Sequence, residues 1–226
     1  MDGPTVRRSD GPWRRRSSPV VIGLKGVLWI ACLLPFVILI YDTVTGQLEA
    51  EAVRDIQHRT GLSALIILFV TLAVTPVRRL TGWNDAIRLR RPLGLFAFFY
   101  ATLHALTYFV FDQSLSPALV AEDVMEHPWV LVGFLGWVLL IPLALTSTRG
   151  WIRRLGRRWQ QLHRLVYLVA ALGVLHFLWL VKKDISEPAL YGFILIGLLL
   201  SRLIIVRLKP RGARQSRLGS PASELS

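Results

Sequence analysis

The sequence predicts an all-α membrane protein, a polytopic bundle of six transmembrane helices. Its 226 residues are 53% hydrophobic, and the apolar residues fall in blocks of about twenty rather than in the periodic stripes of a soluble fold. Lipid offers no hydrogen bonds to the backbone, so uninterrupted apolar runs of this length cross a bilayer only as helices. The six blocks are Ile22 to Tyr41, Gly61 to Val77, Leu93 to Phe111, Pro128 to Thr146, Leu162 to Val181 and Pro188 to Val206.

The distribution of charged residues predicts the orientation of these helices. Lys and Arg in short loops resist translocation, and 23 of the 27 basic residues lie on one side of the predicted bundle. Ten of the 14 acidic residues lie on the other side. We therefore expect a multi-pass protein of the inner membrane with both termini in the cytoplasm.

The chain has room for one folded membrane domain, at residues 21–206. The flanking segments 1–20 and 207–226 are rich in Arg, Gly, Pro and Ser, a composition typical of disordered basic tails. The net charge of +13 comes from arginines beside apolar spans, where they fix topology and contact anionic lipid headgroups. Because no separate basic domain is visible, nucleic acid is not expected as a partner.

Three histidines on two predicted helices are the candidate cofactor ligands. His104 lies on the third helix, and His163 and His176 lie on the fifth. A lone buried histidine is more often a packing residue, but an ionisable side chain inside a span is costly and three of them favour a function. Neutral imidazole is the usual axial ligand of haem iron. Since Cys32 is the only cysteine, no C-x-x-C-H motif attaches haem covalently, and we expect non-covalent haem b.

The heights of the histidines predict one haem and leave room for a second. A helix rises ~1.5 Å per residue, which places His104 ~18 Å and His176 ~21 Å from the cytoplasmic edge, matching heights for one shared iron. His163 lies near that edge, ~20 Å below His176. On an ideal helix the side chains of His163 and His176 point roughly 140° apart. They either face different neighbours or are brought closer by a distortion at Gly173.

A second haem would need a histidine near the start of the third helix, opposite His163. Arg90 and Arg91 stand there instead. A guanidinium is a poor iron ligand, but it binds carboxylate and phosphate groups well. Both arginines are therefore candidate ligands of a haem propionate, of a flavin phosphate, or only of lipid headgroups. The sequence shows no internal repeat of fixed period.

Four segments carry a family resemblance: DIQHRTG at 55–61, LRRPLGLFAFFYATLHALTY at 89–108, LALTSTRG at 143–150 and LGRRWQQLHRLVYLVAALGVLHFLWLVK at 155–182. They resemble the MsrQ (YedZ) family of the ferric-reductase-like transmembrane superfamily, which are haem-binding membrane subunits of a bacterial methionine sulfoxide reductase system. The ATLH, QQLH and LHFLW histidines of that pattern are His104, His163 and His176 here. The resemblance thus implies a ferric-reductase-like transmembrane haem domain at 21–206.

The resemblance also implies a function in electron transfer. The family is understood to pass electrons from the quinone pool through b-type haem to a periplasmic molybdenum-cofactor methionine sulfoxide reductase, which repairs oxidised proteins. FMN has been associated with it, although no flavin motif is recognisable in this sequence. Two other functions stay open: a stand-alone transmembrane ferric or cupric reductase, which would use the same haem site, and a non-haem transporter or assembly factor, which would need polar, broken helices around a midplane cavity.

Overall fold

Nine α-helices make up the part of the chain that the computed structural model describes, residues 19–181 and 185–207. A 3₁₀ turn, Asn84–Arg88, precedes the third helix, and a π-helical turn, Tyr108–Asp112, follows it. These residues contain no strand. The helices are α1 (Pro19–Thr45), α2 (Ala52–Thr81), α3 (Arg90–Thr107), α4 (Pro117–Glu126), α5 (Pro128–Leu145), α6 (Arg149–Leu155), α7 (Arg157–Leu162), α8 (Leu165–Leu180) and α9 (Ser186–Arg207).

Six helical segments within the described residues are long and apolar enough to cross a membrane. They are α1, α2, α3 with its two flanking turns, α5, α7 with α8, and α9. The fold class and the six spans predicted from hydropathy are therefore confirmed. The predicted tails at 1–20 and 207–226 fall almost wholly outside the described residues.

A four-helix arrangement at the centre of the bundle positions the candidate ligands. α2 packs along α3, α3 against α5, α5 along α8, and α8 against α2, so α3 and α8 lie on a diagonal. α1 covers α2, and α9 packs on α2 and α8. Because α2 touches four other helices, it is the most buried span. We call the end of the bundle that carries α4 the α4 end, and the opposite end the α6 end.

A tyrosine of α3 completes the hydrogen bonding of α1. Pro35 lies inside α1 and has no N–H to donate, which weakens the helix at that level. The Tyr100 hydroxyl donates to the Cys32 carbonyl at 2.6 Å and accepts from the Phe36 N–H at 3.0 Å. It is thus inserted between two groups that pair directly in a regular helix. An insertion of this kind bends a helix, and here it also joins α1 to α3.

α2 is longer than its apolar block, since it begins at Ala52 and not at the predicted Gly61. Its first turns are polar and are stabilised by charge. Arg59 bonds Asp55, one turn earlier, at 2.8 Å, and also pairs with Asp42 at the end of α1. Pairs at this helical spacing stabilise a helix, but a hydropathy pattern does not detect them. The same cluster ties the α4 ends of α1 and α2 together.

The connection between the third and fourth spans contains a helix that the apolar pattern does not mark. α4 begins at Pro117, directly after its N-cap Ser116, whose hydroxyl accepts from the Leu119 N–H at 3.5 Å. A serine cap followed by proline is a known start signal for a helix. The acidic residues of this connection are therefore presented on an ordered surface at the α4 end.

Candidate functional site

His104 on α3 and His176 on α8 face each other across the diagonal of the bundle. Their ring centroids are 6.1 Å apart, and the ring planes meet at 78°. Both side chains are partly buried. The structure therefore brings together, at one height, the two histidines that helical rise places at matching depth.

The same hydrogen bond orients both imidazoles. His104 Nδ1 lies 2.9 Å from the carbonyl oxygen of Gln57 on α2, and His176 Nδ1 lies 2.7 Å from that of Trp129 on α5. A carbonyl oxygen only accepts, so each Nδ1 carries the proton and each neutral ring keeps an unprotonated Nε2. Metal-ligating histidines have this arrangement, because the second hydrogen bond fixes the tautomer and the ring orientation.

A glycine lets the neighbouring helix approach each ring closely. Gly61 and Gly133 each lie one turn after the carbonyl that accepts the hydrogen bond. A Cβ on Gly133 would lie 2.8 Å from both Cε1 and Nδ1 of His176, and a Cβ on Gly61 would lie 3.1 Å from Nδ1 of His104. Only a residue without a side chain allows such an approach of backbone to ring.

The two halves of this site repeat one pattern. In each half the carbonyl acceptor precedes the histidine by 47 residues, and the glycine follows that acceptor by four. The α2–α3 pair and the α5–α8 pair thus present their histidines in the same way, from opposite corners. Sequence reasoning missed the supporting residues Gln57, Gly61, Trp129 and Gly133. The equal spacing of glycine and histidine in both halves is the signal that could have found them.

The distance between the rings fits one iron porphyrin. Metal–imidazole bonds of ~2 Å in line, with each ring centre ~1 Å behind its nitrogen, put two centroids ~6 Å apart, in agreement with the 6.1 Å found. Among the residues that the structure describes, no group of three or more His, Cys, Asp and Glu could hold a metal ion. Haem iron needs no such group, because it takes its axial ligands from as few as two side chains.

His163 lies apart from this pair, at the α6 end, where the fifth span is interrupted. α7 ends at Leu162 and α8 begins at Leu165, so His163 lies in a turn between two helices. The predicted continuous helix from 162 to 181 is wrong at its start, because hydropathy averaged over a window does not detect so short a break. Gly173, considered above as a point of distortion, lies in regular α8.

Two polar atoms at the α6 end are buried without a hydrogen-bond partner within the described residues, His163 Nε2 and the Tyr167 hydroxyl. His163 Nδ1 lies 3.1 Å from the Trp159 carbonyl oxygen, and its ring stacks on the Trp159 indole at 4.0 Å. The Arg202 guanidinium lies over the Tyr167 ring at 4.5 Å. A buried polar atom without a partner costs about 1–3 kcal/mol, so a ligand bonding these two atoms would recover that energy.

The structure separates the two candidate arginines. Arg90, the first residue of α3, is partly buried, and its charge acts on His163 and on Arg202. Arg91 is exposed. Within the described parts of the chain no carboxylate pairs with either Arg90 or Arg202. Arg90 is therefore a partly buried cation at the α6 end, and Arg91 lies at the surface.

Comparison with known proteins places the chain in a family. Residues 60–174, which include His104 and His163, match the family described as ferric reductase like transmembrane component. A protein of Herminiimonas arsenicoxydans is 50% identical over 190 residues, which cover 83% of this chain and 87% of that protein. Another, of Xanthomonas axonopodis pv. citri (strain 306), is 47% identical over 81% of this chain and 87% of its own. Both are named protein-methionine-sulfoxide reductase heme-binding subunit MsrQ.

The chain belongs to the MsrQ family. This confirms the family resemblance found in the sequence. A third MsrQ relative, of Xanthomonas campestris pv. campestris (strain 8004), is 46% identical over 87% of this chain and 92% of its own length. With its six apolar helices, this MsrQ-family chain is a multi-pass protein of the bacterial inner membrane.

Proposed function

We propose that this chain is a cytochrome b-type subunit that passes electrons from the quinone pool, through haem b held by His104 and His176, to a periplasmic methionine sulfoxide reductase subunit. That partner carries a molybdenum cofactor and repairs oxidised proteins. The observation that carries the proposal is the facing imidazole pair, 6.1 Å apart and oriented for iron. The relatives named as haem-binding subunits support it.

Haem, when bound, supplies reversible one-electron transfer, and the chain supplies ligands, orientation and surroundings. The Gln57 and Trp129 carbonyls hold each Nδ1–H, which keeps both Nε2 lone pairs available and makes the imidazoles more basic ligands. The glycines bring α2 and α5 against the rings, so each ring is confined by a backbone rather than by a mobile side chain. A ligand pair held in this way reorganises little when the charge on the metal changes.

The proposal places the α4 end in the periplasm and both termini in the cytoplasm. Charge supports this orientation, because the basic residues concentrate at the α6 end and the acidic ones at the α4 end. The histidine pair lies in the half of the bundle near α4, since His104 is close to the C-terminus of α3. Electrons would then leave toward the side where the partner subunit is expected.

A second, anionic ring cofactor at the α6 end is part of the proposal, either another haem b or FMN. The unpartnered His163 Nε2 and Tyr167 hydroxyl support it, together with the uncompensated charges of Arg90 and Arg202. Arg90 would bind the propionate or the phosphate, because a guanidinium matches the geometry of both groups. The exposed Arg91 is better placed for lipid headgroups.

The test is a reconstitution with the full chain purified in detergent. We expect a pyridine haemochrome spectrum of b type, a haem-to-protein ratio of one or two, reduction of that haem by a quinol, and its reoxidation by the partner subunit with methionine sulfoxide. Flavin released on denaturation would identify FMN. A chain that stays colourless when haem is supplied would contradict the proposal and would favour a non-haem transporter or assembly factor.

A stand-alone ferric or cupric reductase is the second candidate, favoured by the description of the matched family. It shares the histidine pair, so ligand variants do not separate the two functions. The acceptor does. If the quinol-reduced chain passes electrons to ferric or cupric chelates faster than to the partner subunit, the metal reductase function is correct.

A further inference from the structure

A narrow cleft opens toward the lipid near the α4 end, between α1, α2 and α3. Its volume is about 220 Å³. Each of the three helices contributes one threonine to its lining, Thr43 from α1, Thr60 from α2 and Thr107 from α3, and all other lining side chains are apolar. The cleft is therefore an apolar slot with one threonine in each of its three walls, of which Thr43 is exposed and Thr60 and Thr107 are buried.

The interruption of the α1 hydrogen bonding lies at the level of this cleft. Phe36 lines the cleft, and its N–H bonds the Tyr100 hydroxyl and not the carbonyl of its own helix. Pro35 and the inserted hydroxyl interrupt the regular ladder at this level, and such an interruption bends a helix. Beyond this interruption α1 carries exposed apolar residues that line the cleft, such as Ile40.

The cleft reaches the surroundings of His104. Leu103 and Thr107, which line it, lie on either side of His104 along α3. On α2, the Thr60 hydroxyl lies 3.1 Å from the Gln57 carbonyl oxygen, the same oxygen that bonds His104 Nδ1. Only the Gln57 carbonyl thus stands between Thr60, in the wall of the cleft, and His104 of the histidine pair.

The hydroxyls of these three threonines have already used their protons. Each donates its proton to the carbonyl four residues earlier in its own helix, at 2.7 Å for Thr43, 2.7 Å for Thr60 and 2.9 Å for Thr107. A hydroxyl has one proton and two lone pairs, so only acceptor capacity is left. The lining side chains therefore complement a ligand that brings its own donors on an apolar body.

We propose that this cleft is the quinol site, and that it selects the reduced quinol over the oxidised quinone. The inference rests on the proposed function for the use of quinol as the donor. A quinol has two hydroxyl donors for the threonines, whereas a quinone has only carbonyl acceptors and makes no such bonds. The apolar walls and the lipid opening fit the ring and the isoprenoid tail.

Oxidation of a quinol in the cleft releases two electrons and two protons. Haem held by His104 and His176 would take the two electrons of the quinol one at a time, passing the first on before it accepts the second. The two hydroxyl protons would leave to water at the α4 end, past the exposed Thr43. The product quinone has lost both donors and therefore its bonds to the threonines. Weak binding of the product lets the next quinol enter, since catalysis gains nothing from tight product binding.

The first test compares two lipid-facing residues of α1 in the haem-loaded full chain, reconstituted in lipid nanodiscs. Ile40 lines the cleft and is 47% exposed, whereas Ile38 does not line it and is 45% exposed. We expect Ile40→Trp to fill the cleft and slow haem reduction by decylubiquinol at least ~10-fold, the size of effect that pocket contacts produce. Ile38→Trp should stay within about twofold of the unmodified chain.

The second test removes the hydroxyl acceptors of two threonines while keeping the shape of their side chains. The double variant Thr43→Val with Thr107→Val should raise the KM for decylubiquinol ~3–10-fold, the equivalent of one or two lost hydrogen bonds, without changing the haem spectrum. Thr45→Val is the control, because Thr45 makes the same bond to its own helix, at 2.8 Å, outside the cleft. Oxidised decylubiquinone should inhibit the unmodified chain only at concentrations well above the KM for the quinol.

The results of these tests distinguish failure of the proposed quinol site from failure of the proposed function. If dithionite reduces the haem of the unmodified chain and decylubiquinol does not, quinol is not the donor, and both proposals fail. If decylubiquinol reduces Ile40→Trp as fast as Ile38→Trp, the function stands and the cleft is only a lipid groove. If the quinone competes as tightly as the quinol binds, the selectivity is refuted.

Discussion

The two ends of this molecule hold their histidines in different ways. At the α4 end, His104 and His176 are each held by a carbonyl and a glycine of a neighbouring helix. At the α6 end, His163 bonds a carbonyl of its own local turn, stacks on Trp159 and leaves Nε2 without a partner. One end is organised around a facing histidine pair, and the other presents a single imidazole near cationic groups.

This difference shows what a paired ligand site requires of the helices. Both the α2–α3 pair and the α5–α8 pair must supply a histidine at the same height, and only the α4 end meets that condition. Thirteen residues before His176 the chain has His163, but 13 residues before His104 it has Arg91. The neighbouring Arg90 is the arginine that lies partly buried. The α6 end therefore lacks the second histidine that a paired iron would need.

The largest effect is expected from breaking the pair itself. His104→Ala or His176→Ala removes an axial ligand and should lower haem affinity at the α4 end more than ~100-fold, beyond the range for loss of an outer-shell partner. The measurement is haem-to-protein ratio and absorption spectrum after purification. His58→Ala is the matched control, since His58 is an exposed histidine of α2 and should leave the spectrum unchanged. An unaltered spectrum in either ligand variant refutes the pair.

The glycines give a graded test of how the pair is supported. A Cβ on Gly133 would meet His176 at 2.8 Å, whereas one on Gly136, in the same helix, would meet its nearest atom only at 3.7 Å. We expect Gly133→Ala to displace the ring and weaken haem binding ~10–100-fold, Gly61→Ala to do so less, and Gly136→Ala not at all. Haem titration of the cofactor-free chains measures this order. Equal affinities for Gly133→Ala and Gly136→Ala would show that the close approach is irrelevant.

Variants of the two adjacent arginines test whether the α6 end binds an anionic cofactor. Arg90→Gln removes a partly buried charge near His163, and Arg91→Gln removes an exposed one. Loss of a charge-assisted bond of about 1.5–3 kcal/mol should lower the occupancy of FMN or a second haem in Arg90→Gln at least ~10-fold, while the spectrum of the histidine pair persists. Flavin and haem assays on both proteins measure it. If Arg91→Gln has the larger effect, the anion site has been assigned to the wrong arginine.

The smallest effect concerns the unpartnered hydroxyl at the α6 end. In the cofactor-free chain, Tyr167→Phe removes a buried oxygen without a hydrogen bond and should raise the free energy of unfolding by about 1 kcal/mol. Tyr100→Phe removes a hydroxyl that makes two bonds and should lower it by a similar amount or more. Thermal unfolding in detergent compares the two. A loss of stability in Tyr167→Phe would mean that its hydroxyl already has a partner.

Hydropathy predicted the fold because an apolar chain in a bilayer can satisfy its backbone hydrogen bonds only as helices. It found all six spans, but it did not detect the polar start of α2 or the helix α4, whose signals are an ion pair between Asp55 and Arg59 and a cap at Ser116. It also missed the break at His163. These features depend on individual hydrogen bonds and charges, which an average over many residues does not resolve.

The site was predictable to the extent that helical rise fixes height. It put His104 and His176 at one level, but it could not say which residues support them. Gln57 and Trp129 act through backbone carbonyls, which every residue has, and Gly61 through the absence of a side chain. The equal spacing of acceptor, glycine and histidine in the two halves is not detected as a sequence repeat. It is recognised only when these partners are known. Which of two adjacent arginines faces inward is likewise set by packing.

The proposed function depends above all on His104 and His176 binding one iron together. The direct measurement is low-temperature EPR of the ferric, haem-loaded His163→Ala chain, which leaves only the α4-end pair. We predict one haem per chain and a single low-spin species with two imidazole ligands, highly anisotropic because the ring planes meet at 78°. A high-spin iron with one protein ligand, or a chain that no longer binds haem, would show that the two histidines do not share an iron.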